Sequence, residues 1–129
     1  VFVLPEPTPG SDPSWFGFML TVKPGAAFTR DEVVAHLESK RIQTRMLFAG
    51  NLVRQPALTR LAEDRAAQGL PAPYRVVGPL SETDRVMNHA FWVGVFPGLT
   101  ESARSYVVET LRAFVAERKA RPAGLRVLP

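Results

Sequence analysis

From Trp15 to Val22 the chain is apolar at nearly every position, and Lys23-Pro24-Gly25 closes the run. A pattern with so little polar alternation predicts a strand whose faces are both covered, by the fold or at an interface. Directly after it, Thr29 and Glu32 have the spacing of a capping box, with Phe28 and Val33 placed for a hydrophobic staple. A helix is predicted from Arg30 to about Lys40, with Val33, Val34 and Leu37 inward. Ile42–Phe48 alternates well enough for a second strand, ended by Gly50-Asn51. Pro56–Gln68 has a helical pattern through Leu58, Leu61, Ala62 and Ala66 that Gly69 stops. Residues 69–79 read as loop. Ser81 and Asp84 then form a weaker capping pair ahead of a short helix ending near Asn88. Phe91–Phe96 predicts a third strand, stopped by Pro97-Gly98. Thr100 is the expected N-cap of the last helix, whose Ala103, Val107, Val108, Leu111, Phe114 and Val115 make one apolar stripe.

The order β-α-β-α-α-β-α, with two longer helices able to cover one face of a small sheet, predicts an α+β two-layer sandwich of three or four strands. Residues 5–13 carry four prolines and read as an extended connector. We therefore divide the chain into a linker (1–13), a domain (14–116) and a basic tail (117–129).

Composition narrows the chemistry. The 129 residues suffice for one core, and with no cysteine they hold neither a disulfide nor a thiolate metal or cluster site. The formal charge of +4 has a location. Residues 112–129 hold Arg112, Arg118, Lys119, Arg121 and Arg126 against Glu117, and residues 1–111 are balanced. Cations at a helix C-terminus favour its dipole, so the charge describes a helix end rather than a nucleic-acid groove, which needs basic residues and aromatics spread over a face. There is no apolar run of spanning length and no signal-peptide pattern, which gives the cytoplasm as the expected location.

Lys23, Lys40 and Lys119 all fall at ends of elements and look exposed, unlike a Schiff-base lysine. His36 falls mid-helix, and His89 stands just ahead of the third strand. Asp31/Glu32 and Glu82/Asp84 belong to helix N-termini. No glycine pattern has the order of a phosphate loop. The stretch Arg41–Ala57 (RIQTRMLFAGNLVRQPA) remains. By composition it reads either as an ordinary polar loop or as a loop whose forked arginine donors hold the planar or anionic part of a ligand.

That stretch, with Thr83–Thr100 (TDRVMNHAFWVGVFPGLT), resembles the C-terminal small domain of the DegT-type sugar aminotransferase family. It is most similar to the CDP-4-keto-6-deoxyglucose 3-dehydratase branch of lipopolysaccharide biosynthesis. The resemblance spans about residues 14–116. It implies the small domain of a fold-type I pyridoxal-phosphate-type enzyme, one that closes a nucleotide-sugar cleft and is inactive alone. It implies a homodimeric parent whose large domain, in the same chain, carries pyridoxamine or pyridoxal phosphate. In iron–sulfur members the cluster cysteines would lie there too. None of the cofactor residues falls in this chain. By match to the motif, Arg45, Phe48, Asn51 and Arg54 are expected to face the nucleotide-sugar, with Asn88 and His89 beside them. A missing large domain implies exposed apolar side chains, Trp15 and Phe48 among them. The alternatives are a standalone α+β ligand-binding or interaction module, and nucleic-acid binding through the tail.

Overall fold

Thr29 opens the first helix with the reciprocal bonds its spacing predicts: its hydroxyl accepts from the Glu32 N–H, and the Glu32 carboxylate accepts from the Thr29 N–H at 2.8 Å. The computed structural model describes residues 1–120; Arg121 and Arg126 of the expected tail lie outside them. The strands are β1 (Phe2–Val3), β2 (Gly17–Val22), β3 (Thr44–Arg45) and β4 (Ala90–Gly94). The helices are α1 (Arg30–Ser39), α2 (Pro56–Ala67), α3 (Ser81–His89) and α4 (Glu101–Ala120), with a 3-10 turn at Leu52–Arg54. The sheet runs β1-β2-β4-β3 and every neighbouring pair is antiparallel. This is the expected α+β architecture.

One face of the sheet makes the core. Leu20, Val22, Phe91 and Val93 meet Val33 and Leu37 of α1 and Phe114 of α4, with Phe28 and Ile42 at the margins. The Phe28 and Phe114 rings meet edge-on at 4.9 Å. Each such side chain, fully buried, contributes about 1.5–3 kcal/mol. The next residue along each central strand points the other way. Met19 pairs with Trp92 and Gly17 with Gly94 on the second face.

Several expectations change. Phe2 and Val3, within the stretch read as linker, add an edge strand through the register Phe2↔Val22 and Val3↔Thr21. Two residues give too little periodicity to detect, but the Phe2 ring lies 5.7 Å from that of Phe28. The strand expected over Ile42–Phe48 shortens to Thr44–Arg45. At its start, Arg41 adopts a left-handed φ of 61°. There the Ile42 N–H reaches back to the Leu37 carbonyl and the Arg41 N–H to Glu38, which is a Schellman end to α1. Ile42 is thus buried as the helix's closing contact. At the strand's far end the Phe48 N–H bonds the Met46 carbonyl at 2.8 Å, a tight turn that peels the chain off the sheet.

The capping pair expected at Ser81 and Asp84 also fails. Leu80 is the N-cap, and its carbonyl accepts from the Asp84 N–H, while the Asp84 side chain is engaged elsewhere. On α4, Thr100 caps as expected, but Val108 is exposed rather than inward. Helix α2 buries no residue and packs chiefly on the 3-10 turn, so its apolar positions lack the partner their pattern implies. Arg118 is folded into α4, where its guanidinium lies 3.3 Å from Glu32 and over the Phe114 ring.

Candidate functional site

Two glycine-dependent contacts shape the region around residues 46–55. Gly50 has φ +60°, and a Cβ there would sit 2.6 Å from the Met87 side chain and 3.1 Å from its Cα. Only glycine lets the turn lie directly on α3. A Cβ on Gly17 would run into the Trp92 indole, so its absence lets that ring lie flat on β2. Asn51 then starts the 3-10 turn, its side-chain oxygen accepting from the Val53 N–H at 3.3 Å.

The sequence-expected residues fall into two groups. Asn51, Arg54 and Asn88 gather around Asp84. The Asn51 amide donates to Asp84 Oδ1 at 2.7 Å, and Arg54 places Nε and Nη2 on the two carboxylate oxygens, each at 2.5 Å. Asn88 donates to the Asp84 backbone carbonyl at 2.9 Å. Asn51 is only 2% exposed, so this buried amide depends on both its bonds. The hydrogen bonds from Arg54 first, and from Asn51 second, hold the Asp84 carboxyl below its ordinary range; Asp84 in turn raises Arg54. The fork of Arg54 is therefore occupied from within the chain. It pins the 46–55 loop to α3, leaving Nη1 alone for anything else.

Arg45 and Phe48 form the second group, around Trp92. Arg45 is the cross-strand partner of Trp92, and the Phe48 ring meets the indole edge-on at 5.8 Å. Phe16 lies against the same indole at 4.8 Å. Phe48 is 82% exposed and Phe16 78%, while Trp92 Nε1 is buried without a hydrogen-bond partner. Phe48 also holds a φ of 44°, a left-handed conformation that costs a side chain of this size about 1–2 kcal/mol. Such strain persists where the surroundings enforce it, and it gathers at ligand clamps. Trp15 is exposed too, as expected. His89 is the last residue of α3, half-buried and joined to neither group by a side-chain hydrogen bond among the described residues.

Four residues of the site escaped the sequence reading. Asp84 has the signature of a helix start, and its partner Arg54 is 30 positions away, so no local signal joins them. Phe16 and Trp92 sit in apolar runs that read as strands. Arg30 read only as the first residue of α1. Its Nη1 in fact donates to the Met87 carbonyl at 3.0 Å, to the Ala90 carbonyl at 3.5 Å and to the Met46 sulfur at 3.0 Å. Arg30, Met46, Phe48, Gln55 and Met87 line an open groove of about 170 Å³.

The donors a pyridoxal-type cofactor needs do not match what this chain offers. Lys23, Lys40 and Lys119 are all exposed on the surface, and the glycines serve turns and close packing rather than a phosphate cradle. Among the described residues, no three His, Asp or Glu side chains converge as a metal site, and no helix is long and apolar enough to cross a membrane.

Among the described residues, a small antiparallel sheet is backed by two helices and carries, on its other face, a pinned loop and the rings of Phe16, Phe48 and Trp92. The chain belongs to the DegT/DnrJ/EryC1/StrS aminotransferase family, whose model matches residues 1–112. It is 47% identical over 111 residues to the lipopolysaccharide biosynthesis protein RfbH of Salmonella typhimurium, covering 86% of this chain and 23% of that protein. It is 44% identical over 115 residues to the dTDP-4-dehydro-2,6-dideoxy-D-glucose 3-dehydratase of Saccharopolyspora spinosa, covering 89% of this chain and 22% of that enzyme. Among solved structures, a variant of GDP-4-keto-6-deoxymannose-3-dehydratase (ColD) with bound GDP-perosamine superposes with a TM-score of 0.67. The identity is 20%, over 85% of this chain and 25% of the other. The E. coli GDP-4-keto-6-deoxy-D-mannose-3-dehydratase with bound hydrated PLP gives the same score and identity. The chain thus spans about a quarter of the length of each relative, and the likeness to the solved structures defines the fold.

Proposed function

We propose that this chain is the C-terminal small domain of a nucleotide-sugar 3-dehydratase that makes deoxysugars of the O-antigen type. The observation that carries this reading is the 44% identity, over 89% of the chain, to a protein named as a dTDP-sugar 3-dehydratase. In this reading the parent is a cytoplasmic homodimer. Its large domain, upstream in the same polypeptide, holds pyridoxamine or pyridoxal phosphate, the catalytic base and, in iron–sulfur members, the cluster. Residues 14–116 carry the domain that closes the cleft, joined by the edge strand Phe2–Val3 and the last turn of α4, so the connector narrows to residues 4–13. When bound upstream, the cofactor supplies the electron sink for loss of the sugar 3-hydroxyl.

This chain's own residues bind and orient. Arg45, exposed beside Trp92, is the cation left open to a diphosphate, because Asp84 already engages Arg54. Phe48 offers a ring face. Asn51, Arg54 and Asn88 hold the loop that presents them, and His89 stands at the end of α3 with its ring free for a polar group of the substrate. The chain alone should not turn over substrate.

The test is the parent enzyme. Its reading frame upstream of Val1 should encode a large domain of roughly 300 residues carrying a cofactor-binding histidine or lysine. The purified parent, given its cofactor and a two-electron donor (an amino donor or a reductant), should convert a nucleotide-linked 4-keto-6-deoxysugar to its 3-deoxy form, lighter by one oxygen atom, with the 3-hydroxyl leaving as water. A reading frame that begins at this domain, or a parent that leaves such sugars unchanged, overturns the reading.

A further inference from the structure

The outward face of α4 carries a charge order that matches its own reverse. Val107, Leu111, Phe114 and Val115 turn the helix onto the core. Val108 does not follow them and stays 43% exposed, although its apolar character reads inward. Glu101, Ser105, Val108 and Arg112 recur at steps of four, three and four, which sets them along one stripe of the helix. With Arg104 and Glu109 on its flanks, this stripe lines an open groove of about 320 Å³. Neither Glu101 nor Arg112 has a salt-bridge partner among the described residues. The helix dipole accounts for Glu101 in the first turn, but not for an arginine in mid-helix or a valine left in water between the two.

Ser105 and Val108 flank the midpoint of the stripe, and Glu101 and Arg112 stand equally far from it on either side. A second copy of the helix lying antiparallel across this midpoint brings Glu101 of each copy to Arg112 of the other. Ser105 of each copy then meets Val108 of the other. Two ion pairs close the ends of the contact, and two valines lie in its middle. A parallel copy instead sets Glu101 against Glu101 and Arg112 against Arg112, and facing like charges are destabilising. Arg104 does not oppose the antiparallel arrangement, because its Nη1 turns back to the Leu99 carbonyl at 3.3 Å, away from the midpoint. Glu109 stays solvated on the opposite flank. The charge order thus selects one orientation and one partner.

We propose that α4 pairs with α4 of a second copy of this chain in a two-fold antiparallel contact, held by reciprocal Glu101–Arg112 ion pairs around Ser105 and Val108. The contact belongs to this domain alone and is independent of the nucleotide-sugar reading. Three turns of helix from each copy bury less than the ~1,200 Å² of stable complexes, and exposed ion pairs are weak, so the chain should dimerise with a Kd on the order of 1 mM. Sedimentation and amide NMR shifts of the 129-residue chain are followed on dilution from about 2 mM to about 0.05 mM. The dilution shifts should gather at residues 101–112 and shrink in high salt. Glu101→Arg and Arg112→Glu change exposed positions, and unchanged spectra away from α4 verify the fold of each variant. Each places like charges face to face twice and should weaken dimerisation about tenfold or more. The double variant Glu101→Arg/Arg112→Glu rebuilds both pairs in reverse and should return to within about threefold of the original. Overall charge does not imitate this pattern, since the first change raises the chain's +4 and the second lowers it. Dilution-invariant spectra, a double variant no better than the singles, singles of opposite effect, or shifts centred on Phe16, Phe48 and Trp92 each overturn the proposal.

Discussion

Replacing Gly50 with alanine isolates how the loop is seated on α3. Two costs add at this position. The backbone holds φ +60°, which an alanine adopts at about 1–2 kcal/mol. The new methyl would also lie 2.6 and 2.7 Å from Met87 Cγ and Cβ and 3.1 Å from its Cα. The thioether end can swing away, but the backbone carbon cannot, so overpacking adds about 1–3 kcal/mol. Gly50→Ala should therefore cost roughly 2–5 kcal/mol, a large share of the 5–15 kcal/mol typical of a domain. Gly69→Ala is the matched control. Its φ is +70° with nothing within 4 Å of the added carbon, so it bears the backbone cost alone. Urea unfolding of both variants, with the m-value checked for constancy, gives the two free energies. Their difference is the contact cost. At about 4 °C per kcal/mol, Gly50→Ala should also melt several degrees below Gly69→Ala. If the two variants lose equal stability, the turn does not rest on Met87 and the description of the loop as pinned is wrong.

Arg41→Gly should stabilise the chain by about 0.5–1 kcal/mol, the relief at φ 61° less the extra entropy of an unfolded glycine; calorimetric melting reads the sign, and a lower Tm contradicts the Schellman assignment. The Asp84 carboxyl, lowered by Arg54 and then by Asn51, contributes stability that is complete above its unfolded pKa and is lost as pH falls through its folded pKa. Between those two values the unfolded chain binds more protons, so stability rises with pH there. Melting from pH 7 down to 2 should show an acid loss that shrinks in Asp84→Asn, leaving the parallel part from Glu38, which the Thr44 N–H and hydroxyl lower in the same way. An unchanged profile in Asp84→Asn removes Asp84 from the loop's support.

The parts of the fold legible in the sequence are those in which local chemistry and burial agree. Thr29 and Glu32 meet within one turn, so their spacing defines the start of α1 without reference to the rest of the chain. Leu20 and Phe91 sit in runs long enough to show a strand. Phe2–Val3 is too short for either signal and exists because Val22 and Thr21 offer an edge. Ile42 looked like strand because burial there serves a helix end, which apolarity alone does not distinguish. For the candidate site, the motif points to Arg45, Phe48, Asn51 and Arg54, with Asn88 and His89. It did not reveal that Arg54 is already paired, since that depends on a carboxylate 30 residues on. Asp84 carries the signature of a helix start, and a local reading had no reason to look past it.

The distribution of apolar side chains says what the domain is built to meet. Its core is narrow, formed by one face of β2 and β4 with α1 and α4. Yet Phe16, Phe48, Leu52 and Phe96 stay largely in water, and α2 buries no residue fully. Leaving a large apolar side chain exposed forfeits about 1.5–3 kcal/mol of possible burial. Several of these residues are also costly in other ways. Phe48 is held against its backbone preference, and Trp92 lies flat only because residue 17 is glycine. In the proposed reading these side chains form a partly apolar wall of the cleft; a standalone module would instead leave them in water. Two of the arginines near that wall are engaged within the chain, Arg54 by Asp84 and Arg30 by Asp31, so the wall presents rings and the exposed Arg45 rather than a general anion surface.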